Sequence, residues 1–142
     1  IRNPGAVRPW QHVLEPLGGY LLLGQQLLQQ NTAAADGWNF GPDDSGIITV
    51  EDAAKGLTKY WDKVNVQKQA CPEHLHEANL LRLDCSKARH ELKWHGVWSP
   101  EETFRHTALW YKDFYTGGKI NTFADLDAYM AAAAKQNLPF VQ

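Results

Sequence analysis

One helix near the end of this 142-residue chain is bracketed on both sides by its own punctuation. Ser99-Pro100-Glu101-Glu102 supplies a hydroxyl cap, a proline at the first helical position and a glutamate three residues after the cap. That order satisfies the free N–H groups of a helix start reciprocally. Gly117-Gly118 closes the helix, since glycine adopts the left-handed turn at no steric cost. Between these limits Phe104, Thr107, Ala108, Tyr111, Phe114 and Tyr115 fall at helical spacing and predict the inner face. A helix of this length needs a second layer to cover it.

The flanking segments supply that layer. Thr49 with Asp52 three residues on predicts another helix start, and Val50, Ala53, Ala54, Leu57, Tyr60 and Trp61 form its apolar stripe. A helix is expected from about Pro16 to Gln30, with Gly18, Gly19 and Gly24 weakening it, so that tertiary packing has to hold it. Ser86–Trp94 reads as a short helix behind Asp84. A last helix from Thr122 is expected to turn Phe123, Leu126, Met130 and Ala133 inward. Ile1–Pro9 reads as extended, Asn31–Asp36 as a loop, and Gly41-Pro42-Asp43-Asp44 as a turn. Gly37–Phe40 and Leu80–Leu83 are short strand candidates. The class is a helix-rich α/β chain with two or three short strands, too few for an independent sheet. They read as members of a sheet supplied elsewhere.

The length suits one domain, 1–142, able to bury roughly 68–70% of its unfolded surface. A net charge of −2 gives no general basic surface, so nucleic acid is not an expected partner and any anion site has to be local. The apolar run Leu21–Leu23 is far short of a membrane span. Two cysteines make no disulfide framework and fit a reducing, cytoplasmic setting. Six tryptophans are many for this length and need packing partners or a ligand.

Three constellations carry chemistry. In Arg8-Pro9-Trp10-Gln11-His12 the guanidinium suits a phosphate clamp beside a flat indole, or equally a surface arginine beside a core tryptophan. Cys71-Pro72-Glu73-His74-Leu75-His76, with Cys85 downstream, offers thiolate and imidazole groups for zinc, although the usual paired spacings are absent. Tyr115 and Lys119 match a Tyr-x3-Lys spacing, but Gly117-Gly118 breaks the helix that such proton transfer needs. No G-x-G-x-x-G, P-loop or G-x-S-x-G is legible.

Taken together, four blocks in order resemble the CDP-glucose 4,6-dehydratases of the extended short-chain dehydrogenase/reductase superfamily. They are RNPGAVRPWQHVLEPLGGYLLLGQQL, WNFGPDD followed by TVED, HEANLLRLDCSKARHELKW, and WSPEETFRHTALWYKDFYTG; the final TFADLDAYM agrees as well. The resemblance implies the C-terminal, sugar-nucleotide-binding part of such an enzyme, including part of an NAD(P)-binding Rossmann-like sheet. The glycine-rich NAD loop, the Tyr-x3-Lys pair and the acidic catalytic residues of the family would lie before Ile1, in an N-terminal Rossmann half that this chain lacks. In the family NAD takes hydride from C4 of the sugar, water leaves across C5 and C6, and hydride returns to C6.

Carried over by motif, Arg8 matches the arginine that contacts the nucleotide diphosphate, with Trp10 and His12 flanking it. His76 and Glu77 match a segment near the ribose. The implied ligand is a CDP-sugar; no catalytic residue, metal ligand or cofactor is expected within the chain itself. Similar sequences carry a glycine where this chain has Lys93 and a proline where it has Gly96, and the stretch from Trp61 to His74 also departs. Three readings follow: a substrate-binding portion that is not catalytic alone, a truncated stand-alone domain that binds sugar nucleotide or self-assembles as a homo-oligomer, and a small zinc protein.

Overall fold

The computed structural model describes residues 1–69 and 78–141. Two short strands, β1 (Val7–Pro9) and β2 (Ile47–Thr49), and five α-helices make up its regular structure, with single 3-10 turns at Thr32–Ala34, Asp44–Gly46 and Pro139–Val141. The helices are α1 (Leu14–Leu28), α2 (Val50–Thr58), α3 (Ser86–Glu91), α4 (Pro100–Gly117) and α5 (Thr122–Lys135). The chain is helix-rich, as its sequence predicts.

The strands lie elsewhere than expected. β1 and β2 pair antiparallel, with Val7 opposite Thr49 and Pro9 opposite Ile47. Leu80 contributes one parallel bridge to Val7 rather than a strand. The segment 37–40 is not a strand either, and its hydrogen bonds run through side chains. The Phe40 carbonyl accepts from Gln11 Nε2 at 2.8 Å, and Asn39 Nδ2 donates to the Asp84 carbonyl. Apolar content marked these segments as buried, but a ladder needs a neighbouring backbone as well.

α1 begins two residues before Pro16. The His12 imidazole, one residue before the N-cap Val13, accepts the Leu14 N–H on Nδ1 at 3.3 Å and so satisfies one of the free donors of the helix start. Its glycines are explained by close approach. A Cβ at Gly19 would overlap the Phe40 ring, while Gly18 faces the Tyr129 hydroxyl and Phe140. Both capping predictions hold. Thr49 accepts the Asp52 N–H. Ser99 Oγ accepts the Glu102 N–H, and Glu102 Oε2 accepts from Ser99 in return. Gly118 ends α4 in the left-handed conformation, φ 65°.

Two buried clusters form the core. One joins Leu22, Phe40, Ala88, Leu92 and Trp94; the other joins Val97, Tyr129, Ala133 and Leu138. Phe140 packs against both. α2 crosses α4 where Gly56 lets the Phe104 ring approach, and a Cβ there would meet that ring at 2.5 Å. The inner faces of the last two helices are narrower than their periodicity predicts. On α4 Thr103, Phe104 and Ala108 are buried, while Tyr111, Phe114 and Tyr115 are exposed. On α5 Tyr129 and Ala133 are buried, whereas Phe123, Leu126 and Met130 face outward.

Candidate functional site

A cleft of about 460 Å³ opens between the start of α1, the turn at 42–46, α3 and the loop 95–100. Trp10, Gln11, Asp43, Arg89, His95 and Trp98 are among the residues that line it. Its floor is set by Glu15, a carboxylate only 2% exposed. Glu15 Oε2 accepts the Val97 N–H at 2.8 Å and the Tyr129 hydroxyl at 2.9 Å, and Oε1 accepts the Trp98 N–H at 2.9 Å. One carboxylate thus joins α1, the cleft loop and α5. Burial pushes the Glu15 carboxyl above its ordinary range, against the pull of its three donors. The Tyr129 hydroxyl is pushed well up, by burial first and then by the neighbouring carboxylate.

Behind the cleft a row of rings fixes Trp98. His106 stacks on it, with ring centres 3.9 Å apart and planes within 8°, and His12 and Tyr129 meet it edge-on. Arg105 donates to His106 Nε2 at 2.9 Å, so that nitrogen carries the lone pair. Nδ1–H then donates to Asp125 at 2.6 Å. His12 is buried, and desolvation lowers its pKa; nearby Asp125 opposes that shift and His106 adds to it.

The residues singled out from the sequence are distributed unevenly. Trp10 lines the cleft and donates its indole N–H to the Ile48 carbonyl at 3.3 Å. Arg8, half-buried on β1, is outside the cleft lining. Its NH1 donates to the carbonyls of Val7 and Ala78 at 2.9 and 2.8 Å. His12 meets Trp98 edge-on and accepts the Leu14 N–H at the start of α1. His76 and Glu77 lie outside the described residues, as do Cys71 and His74. Cys85 is buried, with its thiol pushed up by burial and its Sγ 3.8 Å from the Leu83 carbonyl. Among the described residues no group of three or more His, Cys, Asp or Glu side chains is placed to share a metal ion. Tyr115 and Lys119 are separated by the helix end at Gly118.

Sequence reasoning named Gln11 only as part of the Arg8–His12 cluster and missed Glu15, Arg89 and His95 as site residues, because the cleft joins segments from four parts of the chain.

No protein-family model matches the sequence. Among curated proteins, a CDP-glucose 4,6-dehydratase of Salmonella typhimurium (strain LT2) is 39% identical over 137 residues, which is 95% of this chain. The chain is related in sequence to CDP-glucose 4,6-dehydratase. It spans 38% of that dehydratase's length. No helix among the described residues is long and apolar enough to cross a membrane.

Proposed function

We propose that this chain is the C-terminal, sugar-nucleotide-binding portion of a CDP-glucose 4,6-dehydratase-like protein, with Arg8 as the diphosphate ligand. The observation that carries this reading is the 39% identity extending over 95% of the chain. The local geometry supports it. Arg8 stands on a paired strand, and its NH1 is held by two carbonyls, which fixes the plane of the guanidinium. A pre-oriented planar fork suits phosphate oxygens and loses little entropy on binding.

Family enzymes of this kind use NAD, which takes and returns the hydride. The described residues do not fit that cofactor. Their two strands are antiparallel, and no glycine-rich turn leads from a strand into a helix. The part proposed for this chain is to bind and orient the nucleotide, and no redox step is routed through it.

Calorimetric titration with CDP and CDP-glucose tests the assignment. Arg8→Ala is expected to weaken both by about tenfold or more, the worth of a charge-assisted hydrogen bond. Unchanged affinity would remove Arg8 from the site. Incubation of the 142-residue chain with NAD and CDP-glucose is expected to give no dehydration, and measurable product would overturn the assignment of a purely binding role.

A second reading, self-assembly, is favoured by α1. Val13, Leu17, Leu21 and Leu28 form one outward face, with Leu21 74% and Leu28 87% exposed, and the helix carries no charge except buried Glu15. Sedimentation should show a dimer that Leu21→Glu dissociates. A monomeric wild-type chain would eliminate this reading.

A further inference from the structure

We propose that Asp36-Gly37 is a modification site, at which the folded chain converts Asp36 to isoaspartate through a cyclic imide. Neither residue lines the cleft, and nothing in the proposal depends on nucleotide binding.

Of the aspartates and asparagines in the chain, Asp36 alone is followed by glycine. Imide formation needs the backbone nitrogen of the next residue to reach the side-chain carboxyl carbon. A Cβ on that residue obstructs the approach, and glycine has none. The space around Gly37 is open, with no other residue within 4 Å of where a Cβ would sit. Both residues are exposed, and 35–40 belong to no helix or strand that would resist the small rotation required.

The reacting groups are already in contact. The Gly37 N–H donates to Asp36 Oδ1 at 2.7 Å. With a carbon–oxygen bond of about 1.2 Å, the Gly37 nitrogen then lies within about 4 Å of the carboxyl carbon. That is close to the separation of about 3–3.5 Å from which bonds form. The N–H also points at the carboxyl group that has to take its proton.

The steps balance without an oxidant or reductant. The Gly37 nitrogen bonds to the Asp36 carboxyl carbon and gives up its proton, and the hydroxyl of the protonated carboxyl leaves with that proton as water. Water then reopens the imide. Attack at the side-chain carbonyl restores aspartate. Attack at the main-chain carbonyl of Asp36 breaks its bond to the Gly37 nitrogen. The chain then runs through the former side chain, one methylene longer, and carries a free α-carboxylate.

Lys87 acts as the brake. Its ammonium pairs with Asp36 Oδ2, lies 3.4 Å from the Gly37 carbonyl and sits 4.3 Å above the centre of the Trp38 ring. An ionised carboxylate has no hydroxyl to lose, and the bond to Lys87 holds Asp36 below the usual carboxylate range. One lysine thus ties three successive residues together. Isoaspartate lengthens the backbone within that clamp, next to Trp38, which packs against the Leu22–Trp94 cluster.

The test is to age the 142-residue chain in mildly acidic buffer and map it with a protease that cuts before aspartate but not before isoaspartate. Cleavage at Asp36 is expected to fall with time while cleavage at Asp43 persists, and the imide should appear as a species lighter by one water. Gly37→Ala should slow the loss about tenfold or more. Its methyl group enters open space at a backbone position without a left-handed φ, so the fold is kept. Lys87→Ala should hasten the loss about threefold, the worth of an exposed ion pair. Undiminished cleavage at Asp36, an equal loss at Asp43, or an unchanged rate in either variant would overturn the proposal.

Discussion

Glu15 is the residue on which three segments converge, and its ionisation couples the fold to pH. Its folded pKa lies above the unfolded value, so the native state holds the proton more tightly than the unfolded chain does. The contribution is therefore greatest in acid and is lost as pH rises from about 4.5 through the raised native pKa. His12 acts in the opposite sense. Its pKa is lowered, so the stability it contributes is present above 6.5 and is lost as pH falls through the native value. The two can be separated by comparison with Glu15→Gln. Urea melts across pH 4.5–8 should show that this variant lacks the Glu15 component of the slope. It should also be less stable at neutral pH by about 1–3 kcal/mol, because an amide cannot accept on both sides. A wild-type slope retained in the variant would show that another group is responsible. Nothing local in the sequence marks Glu15 for this role. It reads as an ordinary acid in a helix's first turn, and its partners lie 82, 83 and 114 residues away.

Element ends divide into those the sequence shows and those it hides. The α4 cap and its glycine stop are written in four and two residues, and both are where they were expected. Three other turns use left-handed residues that are not glycine: Gln30, Lys93 and Asn137. Each is followed by an N–H that reaches back into the helix just ended, as Trp94 does to the Ala88 carbonyl and Leu138 to the Ala133 carbonyl. At two of them the turn drives the next side chain into the core. Trp94 is fully buried and Leu138 is 2% exposed. Packing of those side chains compensates for the strain of the turn. Lys93→Gly should raise stability by about 1 kcal/mol, read as a higher denaturant midpoint at unchanged slope. On α5 the spacing rightly turns Ala133 inward, but its most apolar residues, Phe123, Leu126 and Met130, face outward, and Tyr129, which reaches Glu15, takes their place in the core. Periodicity gives the helix but not which side meets the rest of the molecule.

Across the whole molecule, the last residues hold the two core clusters together. Phe140 touches both, stacking near Tyr129 with ring centres 6.2 Å apart and facing Gly18 of α1. Phe140→Ala should cost about 2–3 kcal/mol, toward the low end for a large aromatic because the ring is only half-buried. Thermal unfolding of the variant measures it, and a midpoint within about 1 °C of wild type would contradict the role. The helix-rich class was legible from capping and spacing. The β1–β2 pairing and the cleft were not, since both join distant stretches of chain.

The long reach of Glu15 also orders events in time. α1 is synthesised near the start of this stretch, yet its buried carboxylate has no hydroxyl partner until Tyr129 has been made, and no ring over Gly18 until Phe140 follows. Contacts so distant in sequence close slowly. A nascent chain therefore carries α1 with its apolar face uncovered and its acid incompletely bonded until Tyr129 and Phe140 emerge, and such exposed surface is what invites misassembly during synthesis.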